Sequence, residues 1–203
     1  MTGLYALKPA FQRSLGGVET WLVARGVHPD VLTGVALGLG LLGGALLYAA
    51  AAAPRLLLLL SGLALGRLAL NALDGLVARR EGLARPWGEV LNELGDRLAD
   101  VALLGGLALA PTSDGRLGAV AVVVVLLASY LGLLGKAAGG QREYGGVMGK
   151  ADRMLYLALA TTVAGLAGRP DWLNAYLALV LAGALLTLVQ RGRCIHARLA
   201  TLR

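Results

Sequence analysis

The residues best suited to chemistry lie together in NALDGLVARREGLARPWGEVLNELGDRLAD, residues 71–100: the carboxylates Asp74, Asp96 and Asp100 and the amides Asn71 and Asn92. Asn71 and Asp74 stand three apart, with Ala78 continuing the row, and Asn92, Asp96 and Asp100 stand four apart. On helices each set shares one face. Pro86 is a good first residue for the second helix. The short connection over 80–86 makes the two helices antiparallel neighbours, so their polar faces converge on one pocket. A carboxylate at bilayer depth costs about 2.5–3.5 kcal/mol on insertion scales, and three in one cavity repel each other. A divalent cation removes both penalties. Hard oxygen ligands with no nearby His or Cys select Mg²⁺ or Mn²⁺. Gly75 and Gly88 let a helix or a ligand phosphate come close to such an ion, and Arg79, one turn beyond Asp74, is placed to clamp a phosphate.

These groups sit in a very apolar chain. Of 203 residues, 57% are hydrophobic and 15% charged, against about 25% charged in soluble domains, and the mean hydropathy is +0.70. Apolar runs long enough to cross a bilayer recur throughout. The expected fold is a single all-α integral membrane domain over 1–203. It comprises an amphipathic helix lying in the membrane interface over 4–26, six transmembrane helices within 31–191, and a basic cytoplasmic tail over 192–203. Leu4, Leu7, Phe11, Leu15, Val18 and Leu22 supply the amphipathic spacing, with Lys8, Arg13 and Arg25 between them. The spans are placed at about 31–52, 55–79, 86–111, 116–138, 149–168 and 171–191. A removable signal peptide is not expected. The single cysteine, Cys194, excludes an internal disulfide. Arg79, Arg80, Arg85, Lys136, Arg142, Lys150, Arg153, Arg191 and Arg193 fall on one side and Arg55, Arg116 and Arg169 on the other. That bias puts both termini and the acidic stretch on the cytoplasmic side of the cell (inner) membrane. The net charge of +7 reflects this bias and an anionic substrate, not nucleic acid.

A second basic cluster surrounds the glycine-rich segment GKAAGGQREYGGVMGKADR. Lys136 and Arg153 flank that loop near helix ends and can converge on an anion, and Arg191 ends the sixth span on the same side. Arg142 and Arg198 fit simple contact with anionic lipid headgroups. Asp152 is expected to pair with a neighbouring Lys or Arg, and Tyr144 to serve as a lid residue or as ordinary surface. His28 and His196 are isolated and carry no catalytic expectation.

The acidic stretch resembles the signature of the CDP-alcohol phosphotransferase family, D-x-x-D-G-x-x-A-R, eight residues, then G-x-x-x-D-x-x-x-D. Here it reads Asn71-x-x-Asp74-Gly75-x-x-Ala78-Arg79, eight residues, then Gly88-x-x-x-Asn92-x-x-x-Asp96. Six of the eight fixed positions match, and Asn71 and Asn92 replace the first and third aspartates. The segment Pro29-Asp30-Val31-Leu32-Thr33 and the overall helix layout are similar as well. The resemblance implies a homodimeric phosphatidyltransferase that moves a phosphatidyl group from a CDP-diacylglycerol-like donor to an alcohol and releases CMP. It implies Asp74 as metal ligand, with Asn71, Asn92, Asp96 and Asp100 completing the set, and Asp96 as general base on the acceptor hydroxyl. Thr33, Asp74, Gly75, Ala78, Arg79 and Gly88 would line the CDP site, and Lys136, Arg153 and Arg191 the acceptor site. A phosphorylated polyol is the expected acceptor, against an uncharged alcohol or amino alcohol. The two amides remove negative charge, so weaker metal binding, or one ion in place of two, is expected. A CDP-lipid-binding protein with weak or no turnover is the alternative.

Overall fold

The computed structural model describes residues 8–200, and Leu4, Leu7 and Arg203 lie outside the described residues. Two short helices, α1 (Lys8–Ser14) and α2 (Gly16–Ala24), precede six long ones: α3 (Pro29–Ala49), α4 (Leu56–Arg80), α5 (Pro86–Leu109), α6 (Gly115–Ala137), α7 (Lys150–Ala167) and α8 (Leu173–Ala200). Local chemistry explains most of these boundaries. Pro29 and Pro86 open α3 and α5, where a missing N–H costs nothing. Asp114 caps α6 by accepting the N–H groups of Arg116 and Leu117 at 3.0 and 3.1 Å. Gly168, with φ +64°, ends α7 in the left-handed conformation.

The structure refines three expectations. The amphipathic segment is two helices, broken at Leu15, because Gly16 and Gly17 follow it and favour the helix poorly. Of the six long helices, α3, α4, α6 and the segment Pro170–Ala200 containing α8 are long and apolar enough to cross a membrane. The helices α5 and α7 fall short of that measure, and their N-terminal halves carry the charges of the acidic stretch and of Lys150, Asp152 and Arg153. The basic tail is also not a separate segment. Helix α8 runs on to Ala200, held there by Ile195 against Gly135 of α6 and by Arg198 on Glu143 at 2.8 Å.

Helix α3 packs against both α4 and α5, α6 against α8, and α4 against α7. Lipid tails are as apolar as leucine, so close packing rather than water exclusion must hold membrane helices together. The α3–α5 contact is built for it. A Cβ on Gly44 would lie 2.2 Å from the carbonyl oxygen of Ala102, one on Gly106 2.1 Å from that of Gly44, and one on Gly40 2.4 Å from the Cβ of Ala99. This seam fixes the depth and rotation of α5, and with it where Asp96 and Asp100 point. The connections over 110–114 and 168–173 meet at one end of the bundle. There Asn174 accepts the Asp114 N–H at 2.7 Å and donates to the Thr112 carbonyl at 3.1 Å. A belt of exposed apolar side chains, including Leu59, Val123, Leu127 and Leu166, is the surface a bilayer would cover.

The seam yields a stability prediction. Gly44→Val drives side-chain atoms into the Ala102 backbone and is expected to cost about 1–3 kcal/mol, seen as a lower thermal midpoint or aggregation in detergent. Gly62 on α4 has open space where a Cβ would go, so Gly62→Ala is expected to be neutral or slightly stabilising. Equal melting of the two variants would refute the seam's role.

Candidate active site

The antiparallel turn between α4 and α5, with Gly82 at φ +65°, brings the polar faces of the two helices to one cavity of about 1030 Å³. Asn71, Asp74, Gly75, Ala78 and Arg79 line it from α4, and Gly88, Asn92 and Asp96 from α5. Thr33 of α3, Arg153 of α7 and Arg191 of α8 also reach it. The structure therefore brings together every site residue picked out in the sequence except Asp100 and Lys136. Asp100 is buried behind the cavity wall, where Arg153 donates to it at 2.7 Å and Arg97 stands 3.5 Å away. Lys136 is half exposed at the rim, paired with Glu89 at 2.7 Å. Asp152 accepts the Gly149 N–H at 2.9 Å and so caps α7. Tyr144 lies under the Arg142 guanidinium, 4.4 Å from ring centre to carbon.

The carboxylates have different surroundings. Asp74 accepts from the Thr33 hydroxyl at 3.0 Å, from the Asn92 amide at 2.5 Å and from the Gly75 N–H at 2.5 Å. These are neutral donors that leave its charge in place. Asp96 receives both Arg67, at 3.3 Å, and the ammonium of Lys150 on Oδ1, while Oδ2 has Arg97 at 3.9 Å. Asn71 turns its amide N–H to the Arg67 carbonyl at 2.8 Å, which leaves the amide oxygen available. Gly75 makes room for the Arg79 side chain, whose guanidinium would be 3.2 Å from an added Cβ.

Arg67 was missed in the sequence. It is 2% exposed, and it is the one charged residue between Arg55 and Asp74, four positions before Asn71 on the same face. An ionisable group inside a span is a functional signal with a partner to be found. Lys150 was placed only among the loop cations, yet it is the one that reaches Asp96.

The loop over 138–149 closes one side of the cavity and is tied down from several directions. Arg191 donates to the carbonyls of Gly145, Ala128 and Tyr144 at 2.8, 2.6 and 3.3 Å. The Glu143 N–H donates to Gly132 of α6 at 3.2 Å. Burial pushes the Glu143 carboxyl up, but the Cys194 thiol, the Gly145 N–H, Arg198 and Arg191 outweigh it and hold it below the usual carboxylate range. Arg142 pairs with Glu93 of α5. Buried guanidinium atoms without a hydrogen-bond partner collect here: Nε of Arg67, Nε and Nη1 of Arg97, and Nε of Arg153.

Among the described residues no three His, Cys, Asp or Glu side chains stand close enough to hold a metal ion together. The oxygen atoms of the acidic stretch in the cavity with no cation paired to them are those of the Asp74 carboxylate and the Asn71 amide, with Asn92 and Thr33 beside them. That set fits one divalent ion.

No protein-family model matches the chain. It is 40% identical to the inner membrane protein YnbA of Escherichia coli over 156 residues, 77% of each chain. It is 31% identical to the phosphatidylinositol phosphate synthase of Corynebacterium glutamicum over 205 residues, covering 94% of this chain and 87% of that one. The fold matches that of Mycobacterium tuberculosis phosphatidylinositol phosphate synthase solved with CDP-DAG bound, with a TM-score of 0.71 at 24% identity over 90% of this chain and 94% of the other. The same enzyme solved with manganese and citrate gives a TM-score of 0.70 at 23% identity, over 88% and 87%. Extensive identity to named synthases, joined to a matching helical fold, makes the chain a member of the CDP-alcohol phosphotransferase family.

Proposed function

We propose that the protein is a membrane phosphatidyltransferase that moves a phosphatidyl group from a CDP-diacylglycerol-like donor to a phosphorylated polyol and releases CMP. The observation that carries this reading is the single cavity in which Asp74 and Asp96 face each other across the α4–α5 turn, beside a wall of buried cations. The synthase relatives act in phosphatidylinositol phosphate formation by name, and the structural relative holds CDP-DAG. Both support the donor class. The six long helices would all span the membrane, with the cavity at the cytoplasmic face, because the Lys and Arg residues concentrate at that end. The resemblance supports a homodimer.

The chain's own groups divide the work. Leu65, Leu68 and Ala72 line the apolar side of the cavity, where donor chains can lie toward the lipid. Arg79, folded back over Gly75, is placed to hold the donor pyrophosphate. The guanidinium groups of Arg97 and Arg153, which line the cavity and keep N–H groups that make no hydrogen bond, suit a phosphate on the acceptor. The acceptor oxygen attacks the phosphorus that carries the diacylglycerol. The bond from that phosphorus to the bridging oxygen breaks, and CMP leaves with the electron pair. Oδ2 of Asp96, the oxygen not taken by Arg67 and Lys150, accepts the hydroxyl proton. A divalent ion bound through Asp74, Mg²⁺ or Mn²⁺, would supply charge neutralisation on the pyrophosphate.

The second reading, a CDP-lipid-binding protein without turnover, has its own observation: at position 92 an amide donates to Asp74 where an added carboxylate could share an ion. One assay separates the two. Purified protein with CDP-diacylglycerol, Mn²⁺ or Mg²⁺ and a panel of alcohols is expected to release CMP, most strongly with a phosphorylated polyol. CDP-lipid binding without release for any acceptor would favour the second reading. Asp74→Ala and Asp96→Ala are each expected to lower the release rate by about 10²–10⁴-fold, and retained activity in both would remove the assigned roles. Asn92→Asp sets a carboxylate against Asp74, 2.5 Å from the present amide nitrogen, so the pair needs a cation between them. Titration calorimetry of that variant is expected to show Mn²⁺ bound about tenfold more tightly.

A further inference from the structure

Three carboxylates were expected to share the ion, and the structure separates them by the company they keep. Asp100 is buried against Arg153, which donates to it at 2.7 Å, with Arg97 3.5 Å away. Asp96 has one deeply buried cation and one cavity-lining cation on Oδ1, with Arg97 3.9 Å from Oδ2. Arg67 is 2% exposed, enters from the middle of α4, and reaches a methionine sulfur at 3.4 Å and Asp96 at 3.3 Å. Lys150 sits at the first turn of α7, its side chain 23% exposed, and lines the cavity. Asp74 alone has only neutral donors around it.

We propose that the Lys150 ammonium is the resident cation of Asp96 and competes with divalent metal for it, so that the native chain binds one divalent ion, at Asp74. This rests on the metal-dependent reading above and specifies the electrostatics of that site. An ammonium is a compact point charge with three donors. It neutralises a carboxylate as a metal does but leaves a hydroxyl proton somewhere to go, since it occupies Oδ1 and not Oδ2. Arg67 strengthens the competition: with a guanidinium and an ammonium both on Asp96, the carboxylate has too little charge left to draw a second hard dication out of water, and only loss of the ammonium restores it.

Bound Mn²⁺ counted by electron paramagnetic resonance on the full chain in nanodiscs, with the metal alone as probe, tests this. One Mn²⁺ per native chain is expected, none in Asp74→Asn, and one in Lys150→Arg, which keeps the charge. Lys150→Met is expected to take a second ion. Two ions on the native chain overturn the inference, as does none, or a Lys150→Met chain, eluting as a single species, that still takes one. The native count decides the matter even if a variant fails to fold. CMP release measured in parallel separates the two readings: two ions with CMP release sink the resident-ammonium idea and leave the transferase standing, and one ion without release for any acceptor does the reverse.

Discussion

A charge placed inside an apolar helical bundle must find its counter-charge within the bundle, and the site follows from that requirement. Water is not there to do it, and breaking a buried pair by removing one partner typically costs about 3–5 kcal/mol. Asp96 and Asp100 on α5 therefore reach across to Arg67 on α4 and to Lys150 and Arg153 on α7. Each pair links two helices that do not pack closely against each other, α5 being packed on α3 and α6 and not, as the short connection suggested, on α4, so the ion pairs tie the polar end together across the cavity. The polar end of the bundle is thus assembled by charge, while the other end is assembled by leucine and glycine.

The two kinds of packing depend on each other. Arg67 can reach Asp96 only if α4 and α5 stand at the right height, and that height is set by α3, which contacts both. The glycine seam along α3 and α5 brings backbone against backbone, so α5 has little freedom to slide or turn. A ligand pocket lined by side chains from α3, α4, α5, α7 and α8 keeps its geometry because its most charged wall is anchored to its most tightly packed contact.

How much of this could be read in the sequence follows from how local each cause is. The convergence of Asn71, Asp74, Asn92 and Asp96 was legible because it needs only helical periodicity, a proline at 86 and a short connection. The helix boundaries were legible for the same reason, from Pro29, Pro86 and the glycine at 168. The partners of the carboxylates were not. Lys136 and Lys150 both flank a glycine-rich loop, and nothing local says which one turns inward. The path of that loop is set by Arg191 binding three of its neighbours' carbonyls and by Glu143 held between Cys194 and Arg198, contacts made across 46 to 63 residues for Arg191 and Gly145, Tyr144 and Ala128. Arg191 accordingly shapes this wall of the cavity through the loop as much as by facing it. The helical course of residues 192–200 was likewise hidden, since it depends on α6 and Glu143 being there to receive it.

Seen with these contacts, the two amides look less like losses than like parts of a different charge balance. A carboxylate at 92 would stand against Asp74, whereas the amide donates to it at 2.5 Å. The amide at 71 closes onto the backbone carbonyl of Arg67 at 2.8 Å, the residue whose guanidinium neutralises Asp96. A carboxylate there could not donate that bond and would add a negative charge one turn from the Arg67–Asp96 pair. The substitutions and the buried cations thus belong to one arrangement: where the chain supplies positive charge from Arg67 and Lys150 to Asp96, it carries amides at 71 and 92, and Asp74 is left with neutral hydrogen-bond donors.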